Sequence, residues 1–332
     1  MSARQNKNRQ GPKVAVIITA YNYEDYVEAA IRSVLQQTHQ NFEIVIVDDH
    51  SKPTSSAKTA KIVKKIKDER IRLVRNQINI GQTHSFYVGL DHTTAEFVCL
   101  LDPDDLLMPD FLATMLAAHL NPIHIAPLAF CNQQFIRNDD TQLTATQSLF
   151  LRSQFKAGKF DGMQASLQRF GFSSYLEATT RGWIWTATSS IMYRRDAVEM
   201  IRPIKKLAYN HADTYLAKGT HLLGGSLFVH KVLVSRTLHD KNDFTHSRIF
   251  ASNQRPGVLH LKGGDPAVDT IEALYDSGNY KLLLRKNLQK AMAARLKPAQ
   301  LIRLWRASEN FRSEPGSKLI ILRCLLARLR HK

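Results

Sequence analysis

The chain has only three cysteines, Cys99, Cys131 and Cys324, in 332 residues. Their positions give no paired metal-binding spacing and no disulfide framework, so a reducing, cytoplasmic compartment fits. Long apolar runs are missing: no stretch is long and apolar enough to span a bilayer. The segment Met1 to Lys13 is polar and basic and lacks the apolar run of a signal peptide. No Gly-x-Gly-x-x-Gly follows the first predicted strand, which argues against a dinucleotide-binding Rossmann site. Acids are scarce, with 29 Asp and Glu against 46 Lys and Arg, a net charge of +17. That surplus attracts polyanions. Because no nucleic-acid recognition motif accompanies it, phosphorylated ligands and anionic lipid surfaces are the expected partners, and nucleic acid is not.

What is present is a globular amount of apolar residue, 44%, enough for one large domain plus an extension. The scarce acids are informative where they cluster. The run Phe97 to Leu101 reads as a buried strand and ends in Asp102, Asp104 and Asp105 around Pro103. Clustered carboxylates repel one another and cost desolvation energy. A hard divalent cation such as Mg²⁺ or Mn²⁺ resolves that conflict and leaves room for substrate phosphates. In an extended segment Asp102 and Asp104 face the same side, and Pro103 biases Asp102 toward that conformation. A polar turn after the strand is the alternative reading of the same residues.

Val14 to Ala20 and Phe42 to Val47 read as further central strands, ending in Tyr21-Asn22 and in Asp48-Asp49-His50-Ser51. Helical periodicity follows the first strand through Val27, Ala30, Ile31, Val34 and Leu35, and a basic helix runs from about Ser55 to Lys67. Ile71 to Val74 is a short strand, followed by the Asn79-Ile80-Gly81 turn and a helix to about Leu90. Alternating strands and helices predict an α/β domain with a mostly parallel central sheet flanked by helices. Ligands of such sheets lie beyond the carboxyl ends of the strands, where the three polar clusters should converge.

The ordered set Thr19-Ala20-Tyr21-Asn22, Val47-Asp48-Asp49-His50-Ser51, Asn79-Ile80-Gly81 and Leu100 to Asp105 resembles family 2 of the inverting glycosyltransferases, which have the GT-A (Rossmann-like) fold. The resemblance is close over roughly residues 13 to 120 and weaker to about 245. It implies a metal-dependent transfer of a sugar from a nucleoside-diphosphate donor, a UDP-sugar, to a hydroxyl of a glycan or lipid-linked acceptor in cell-surface polysaccharide assembly. By position, Tyr21 and Asn22 would border the nucleobase and ribose, and Asp49, or the adjacent Asp48, would contact the base. Asp102 would reach the ribose or a metal-bound water, and Asp104 would bind Mn²⁺ or Mg²⁺. Trp183 to Arg195 resembles the family's small-residue strand ending in an arginine pair, with Trp183 and Trp185 able to stack on a sugar or to fill the core. Asp213 matches the family's catalytic base, and also suits a helix N-cap. His239 matches a position able to bind the metal or the diphosphate.

The chain also departs from the pattern. Phe86 and Tyr87 stand where many relatives carry Arg-Asn, Ala212 replaces a glutamate, and His50 replaces the common glycine, so that turn is expected to avoid a strongly strained backbone. Residues 1–12 are expected to form a disordered basic tail, 13–245 the glycosyltransferase domain with 13–120 its nucleotide-sugar half and 121–245 its acceptor half, and 246–332 a mainly helical extension. In that extension Leu319, Leu322, Leu326 and Leu329 share one helical face among basic residues, with no acid between Lys318 and Lys332. Such a helix can lie on the inner face of the cytoplasmic membrane or pack on the domain. A non-catalytic nucleotide-sugar-binding relative and a nucleotidyltransferase are the alternative readings. The latter would be expected to carry a glycine-rich basic loop where Tyr21-Asn22-Tyr23-Glu24 stands.

Overall fold

Strand β1 (Val14–Ala20) is buried along its whole length. Its side chains alternate between two apolar layers, Ala15 and Ile17 in one and Val14, Val16 and Ile18 in the other, as the two-residue period of a strand requires. Strands β2 (Phe42–Asp48) and β4 (Phe97–Leu101) repeat the pattern and flank β1 in parallel, and β3 (Ile71–Arg75) adds in parallel to β2. The computed structural model describes residues 11–123, 125–137, 142–143, 168–170, 173–176, 185–207, 212–239 and 265–329.

The remaining strands in those segments are β5 (Asp105–Leu107), β6 (Leu128–Arg137), β7 (Gln142–Leu143), β8 (Gln168–Phe170), β9 (Ser173–Leu176), β10 (Ile191–Arg194) and β11 (Ser226–Leu238). One sheet runs in the order β3-β2-β1-β4-β10-β6-β11-β9-β8, with β5 paired to β11 and β7 to β6. The predicted parallel arrangement holds for β3-β2-β1-β4. Beyond β4 the sheet is mixed, because β10 runs antiparallel to both its neighbours and β11 is parallel to β6.

Helices α1 (Val27–Leu35), α2 (Pro53–Ile66), α3 (Gln82–Asp91), α4 (Phe111–His119), α5 (Arg195–Met200) and α6 (Ala212–Gly224) accompany the sheet. The apolar stripes of α1 and α4 belong to one layer and those of α3 and α6 to the other. Gly89 in α3 lies so close to β1 that a Cβ there would come within 2.5 Å of Ile17 Cγ2. Of the segment predicted as one strand from Trp183 to Arg195, the described residues from 185 on are strand only over β10, and a 3₁₀ turn, Thr188–Ser190, precedes it. Buried Gln133 explains the turn, since its Oε1 accepts from the Ala187 N–H at 3.3 Å and from Ser190 Oγ at 2.9 Å.

Six further helices follow among the described residues: α7 (Pro266–Asp276), α8 (Tyr280–Leu283), α9 (Lys286–Arg295), α10 (Pro298–Ala307), α11 (Glu309–Ser313) and α12 (Ser317–Leu329). Their buried residues, including Ile271, Leu288, Leu301 and Phe311, belong to the same apolar layer as α3 and α6. Most of the expected basic tail, 1–10, lies outside the described residues, as do most of residues 138–184 and the start of the extension up to 264.

Register brings the strand ends together. Ala20 pairs with Asp48 and Ile18 with Leu101. Tyr21-Asn22, Asp48-Asp49 and Asp102 therefore leave the sheet at one end.

Candidate active site

The left side of this end is braced by its own side chains. Asn22 takes a left-handed conformation, φ 59°. Its N–H donates to Ser51 Oγ at 3.0 Å and its Oδ1 accepts from the Lys52 N–H at 2.9 Å, so it ties the β1 tip to the β2 tip. Asp48 is buried and accepts from the Ser51 N–H at 2.8 Å and from Ser56 Oγ, with Arg75 Nε 3.7 Å away. Asp49 is also buried. Its carboxylate accepts from the N–H groups of Ile80 and Gly81 at 2.9 and 2.8 Å and from Asn76 Nδ2 at 2.8 Å. The Asn79-Ile80-Gly81 turn is thus folded around Asp49. Three donors on a carboxylate leave acceptor capacity for one more. Tyr21 stands open at the tip, 50% exposed.

His50 adopts φ 63°. The expectation that its turn avoids the glycine-favouring region is corrected: the left-handed conformation is kept and histidine occupies it. This region is uncommon for L-residues but enriched in Asn, Asp and His.

The right side gathers the acids. The Asp102 N–H donates to Ser189 Oγ at 3.1 Å, and Ser189 Oγ donates to Asp105 Oδ2 at 2.6 Å, so one hydroxyl of the 3₁₀ turn joins two carboxylate-bearing residues. Antiparallel pairing sets Arg236 of β11 opposite Asp105, with Nε 3.7 Å from Oδ2. His239 Nε2 lies 2.9 Å from Asp104 Oδ2, and its ring stacks on Tyr26 with centroids 4.3 Å apart. Burial, then the neighbouring carboxylates Asp105 and Asp104, push Asp102 well above the usual carboxylate range, and Asp213 adds to the push. Burial and Asp104 raise Asp105 to about 7, while Arg236 opposes the rise. Crowded acids of this kind favour either protons or a cation.

Gln82, the first residue of α3, connects the parts. Its Nε2 donates to Asp102 Oδ1 at 2.7 Å and its Oε1 accepts from the Ala212 N–H at 3.0 Å. Ala212 begins α6 and Asp213 is in its first turn. Residues 80–82 therefore hold Asp49 on one side, and Asp102 and the start of the Asp213 helix on the other. Sequence reading missed Gln82 and Ser189. The only signal for Gln82 was its place after the Asn-Ile-Gly turn, and Ser189 had only its small-residue setting.

Among the residues singled out in sequence, Asp102, Asp104, His239 and Asp213 come together, with Asp49 joined through the turn. Trp185 does not join them. It is 2% exposed in the core, donates its indole N–H to Ser226 Oγ at 3.0 Å and packs against His221. Trp183 lies outside the described residues. Phe86 and Tyr87 are core residues, with the Tyr87 hydroxyl donating to the Val198 carbonyl at 2.9 Å. Neither could reach a ligand as an arginine would.

A model of glycosyl transferase family 2 matches residues 15–199, which span the strand tips and the acid cluster. The chain belongs to this family. Similar proteins include an uncharacterized glycosyltransferase of Nostoc, 28% identical over 73% of this chain and 70% of its own length. A second is an Escherichia coli UDP-Glc:α-D-GlcNAc-diphosphoundecaprenol β-1,3-glucosyltransferase, 37% identical over 28% of this chain and 35% of that protein. Five other curated relatives are likewise matched over only 16% to 41% of their own length. The fold is that of a Pyrobaculum calidifontis mannosyltransferase solved with GDP-Man and Mn²⁺, at a TM-score of 0.50 and 16% identity over 97% of this chain and 88% of that one. The architecture is therefore GT-A, and the chain is a family 2 glycosyltransferase with a helical C-terminal region.

Proposed function

We propose that the protein transfers a sugar, with inversion, from a UDP-sugar to a hydroxyl of a glycan or lipid-linked acceptor, in a metal-dependent reaction of cell-surface polysaccharide assembly. The single observation that carries this is the linkage through Gln82 of the Asp102–Asp104–Asp105 cluster to the helix that bears Asp213. Support for the donor and acceptor classes comes from the activity named for the Escherichia coli relative, a UDP-Glc:α-D-GlcNAc-diphosphoundecaprenol glucosyltransferase.

The donor set suits a divalent cation. Among the described residues no group of three His, Cys, Asp or Glu side chains is arranged to hold a metal unaided. A cation that bridges a diphosphate needs only one or two protein ligands, with phosphate and water oxygens completing its shell. Asp104 and His239 would hold it, and Asp102 would act through water. His239 would first give up any Nε2 proton it shares with Asp104. When bound, Mn²⁺ or Mg²⁺ supplies charge stabilisation to the departing diphosphate.

The chain's own residues supply the rest. Asp49 offers its remaining acceptor capacity to a uracil N–H, and Tyr21 and Asn22 border the base and ribose, with Asp48 fixing their loop. Asp213 takes the proton of the acceptor hydroxyl as that oxygen attacks the anomeric carbon opposite the diphosphate. One base and one in-line displacement give inversion.

The test is melting-point screening with nucleotide sugars, with and without Mn²⁺, since a ligand of the folded state raises the melting temperature. A UDP-sugar is expected to stabilise strongly only with the metal. Asp104→Ala should remove the metal's contribution to UDP affinity in calorimetry. Asp213→Asn should lower kcat about 10³-fold or more while UDP affinity stays within about twofold. Full turnover by Asp213→Asn would dismiss that base, and donor binding by the parent without any turnover would favour a non-catalytic binding protein.

A further inference from the structure

Helix α12 carries two apolar stripes. Ser317, Ile320, Ile321 and Cys324 are buried, at the three- and four-residue spacing of one helical face. That face packs on α9 and α10 within the shared core. Leu319, Leu322 and Leu326 are 49%, 50% and 48% exposed. At about 100° per residue they fall on the side opposite the buried stripe. A helix that only covers a core needs the first stripe, and its outer face is ordinarily polar. Exposed Lys318 and Arg323 flank the outer leucines, one on either side. Neighbouring α10 exposes Ile302, Arg303 and Arg306. From α10 to the chain's end the only acids are Glu309 and Glu314.

We propose that this outer face of α12 docks in the plane of an anionic lipid bilayer, its leucines at the acyl boundary and Lys318 and Arg323 among the headgroups. Charge decides the occupant. A second copy brought face to face would set basic rim against basic rim, on chains that each carry +17. An anionic headgroup layer instead gains from every one of those cations, and their long stems let the charges stay in water while the leucines insert. No described helix is long and apolar enough to cross a membrane, so α12 would lie along the interface. The proposal rests on the transferase reading only for its purpose, bringing the strand-tip site to a lipid-linked acceptor.

The test uses the full chain in co-sedimentation with phosphatidylcholine vesicles, with or without roughly one third phosphatidylglycerol. Binding to the anionic vesicles is expected to exceed binding to the neutral ones by about tenfold or more and to weaken with salt. The double variant Leu322→Ser, Leu326→Ser should lose about tenfold in vesicle affinity while keeping its helical circular dichroism. Vesicle binding equal to that of the parent would overturn the proposal, as would absence of binding by the parent. Self-association of the parent that the double variant abolishes, without vesicle binding, would assign the face to a second copy instead. UDP binding is measured on the same samples. If it persists without vesicle binding, only the docking fails; if vesicles bind and UDP does not, only the transferase reading fails.

Discussion

His119 ends α4 inside the core, its Nε2 3.1 Å from the Met192 carbonyl and its ring tilted against Phe97. Burial lowers its pKa to about 4, with Arg194 contributing. The unfolded chain then binds the extra proton first, so stability present above about pH 6.5 is lost as pH falls toward 4. The full span corresponds to about 3 kcal/mol. Urea midpoints between pH 7 and 4.5 should fall less steeply in His119→Gln than in the parent, and parallel slopes would remove His119 from the acid response. At the β2 tip, His50→Gly should be neutral or stabilise by up to about 1 kcal/mol, because glycine is unstrained at φ 63°. His50→Val should destabilise, and thermal melts of the two variants that fell in the reverse order would refute the strain argument. Residues differed in how far sequence revealed them. Asp102 and Asp104 stood out because clustered carboxylates at the end of an apolar strand need a reason, whereas Asp213 and His239 were singled out only through the family resemblance. Gln82 and Ser189 were not legible, because a neutral side chain gains its role only from partners 20 to 130 positions away.

At the level of elements, β1, β2, β3 and β4 were legible because each is a short apolar run bounded by polar residues, and parallel pairing follows from the helices between them. β10 was read too long, since Thr186 to Ser190 are small residues equally suited to strand and turn, and distant Gln133 decides between them. β11 was not read as a strand, and of its surroundings only His239, one residue past its end, was singled out, yet β11 sets Arg236 beside Asp105 and leads His239 to Asp104. α3 shows close packing overriding local propensity. Alanine in place of Gly89 would favour an isolated helix by about 1 kcal/mol, but the added Cβ would meet Ile17 Cγ2 at 2.5 Å. Gly89→Ala should therefore destabilise by about 1–3 kcal/mol. Because α3 begins at Gln82, the same shift should also lower kcat. A more stable Gly89→Ala protein, judged by urea titration, would mean that α3 sits farther from β1 than described.

The whole molecule is organised by its sheet, which separates two apolar layers. The helices α7 to α12 do not form a layer of their own. Their buried residues join Ala15, Val45, Val98 and Tyr215 in one continuous cluster. The sequence showed that the C-terminal region is helical but not this continuity, because its stripes of Leu and Ile do not name the surface they meet. A shared layer has an equilibrium consequence: the C-terminal helices and the sheet should unfold together. Phe311 is the place to probe it. It is fully buried, with ring centroids of Tyr275 and Tyr280 at 5.9 and 5.7 Å. Phe311→Ala should cost about 3–5 kcal/mol. That loss should shift one transition, seen alike by far-ultraviolet circular dichroism and by tryptophan fluorescence, whose reporters include Trp185 near the sheet and Trp305 in α10. If the variant instead showed an early fluorescence change while the remaining structure melted at the parent's midpoint, the C-terminal helices would be a separable unit.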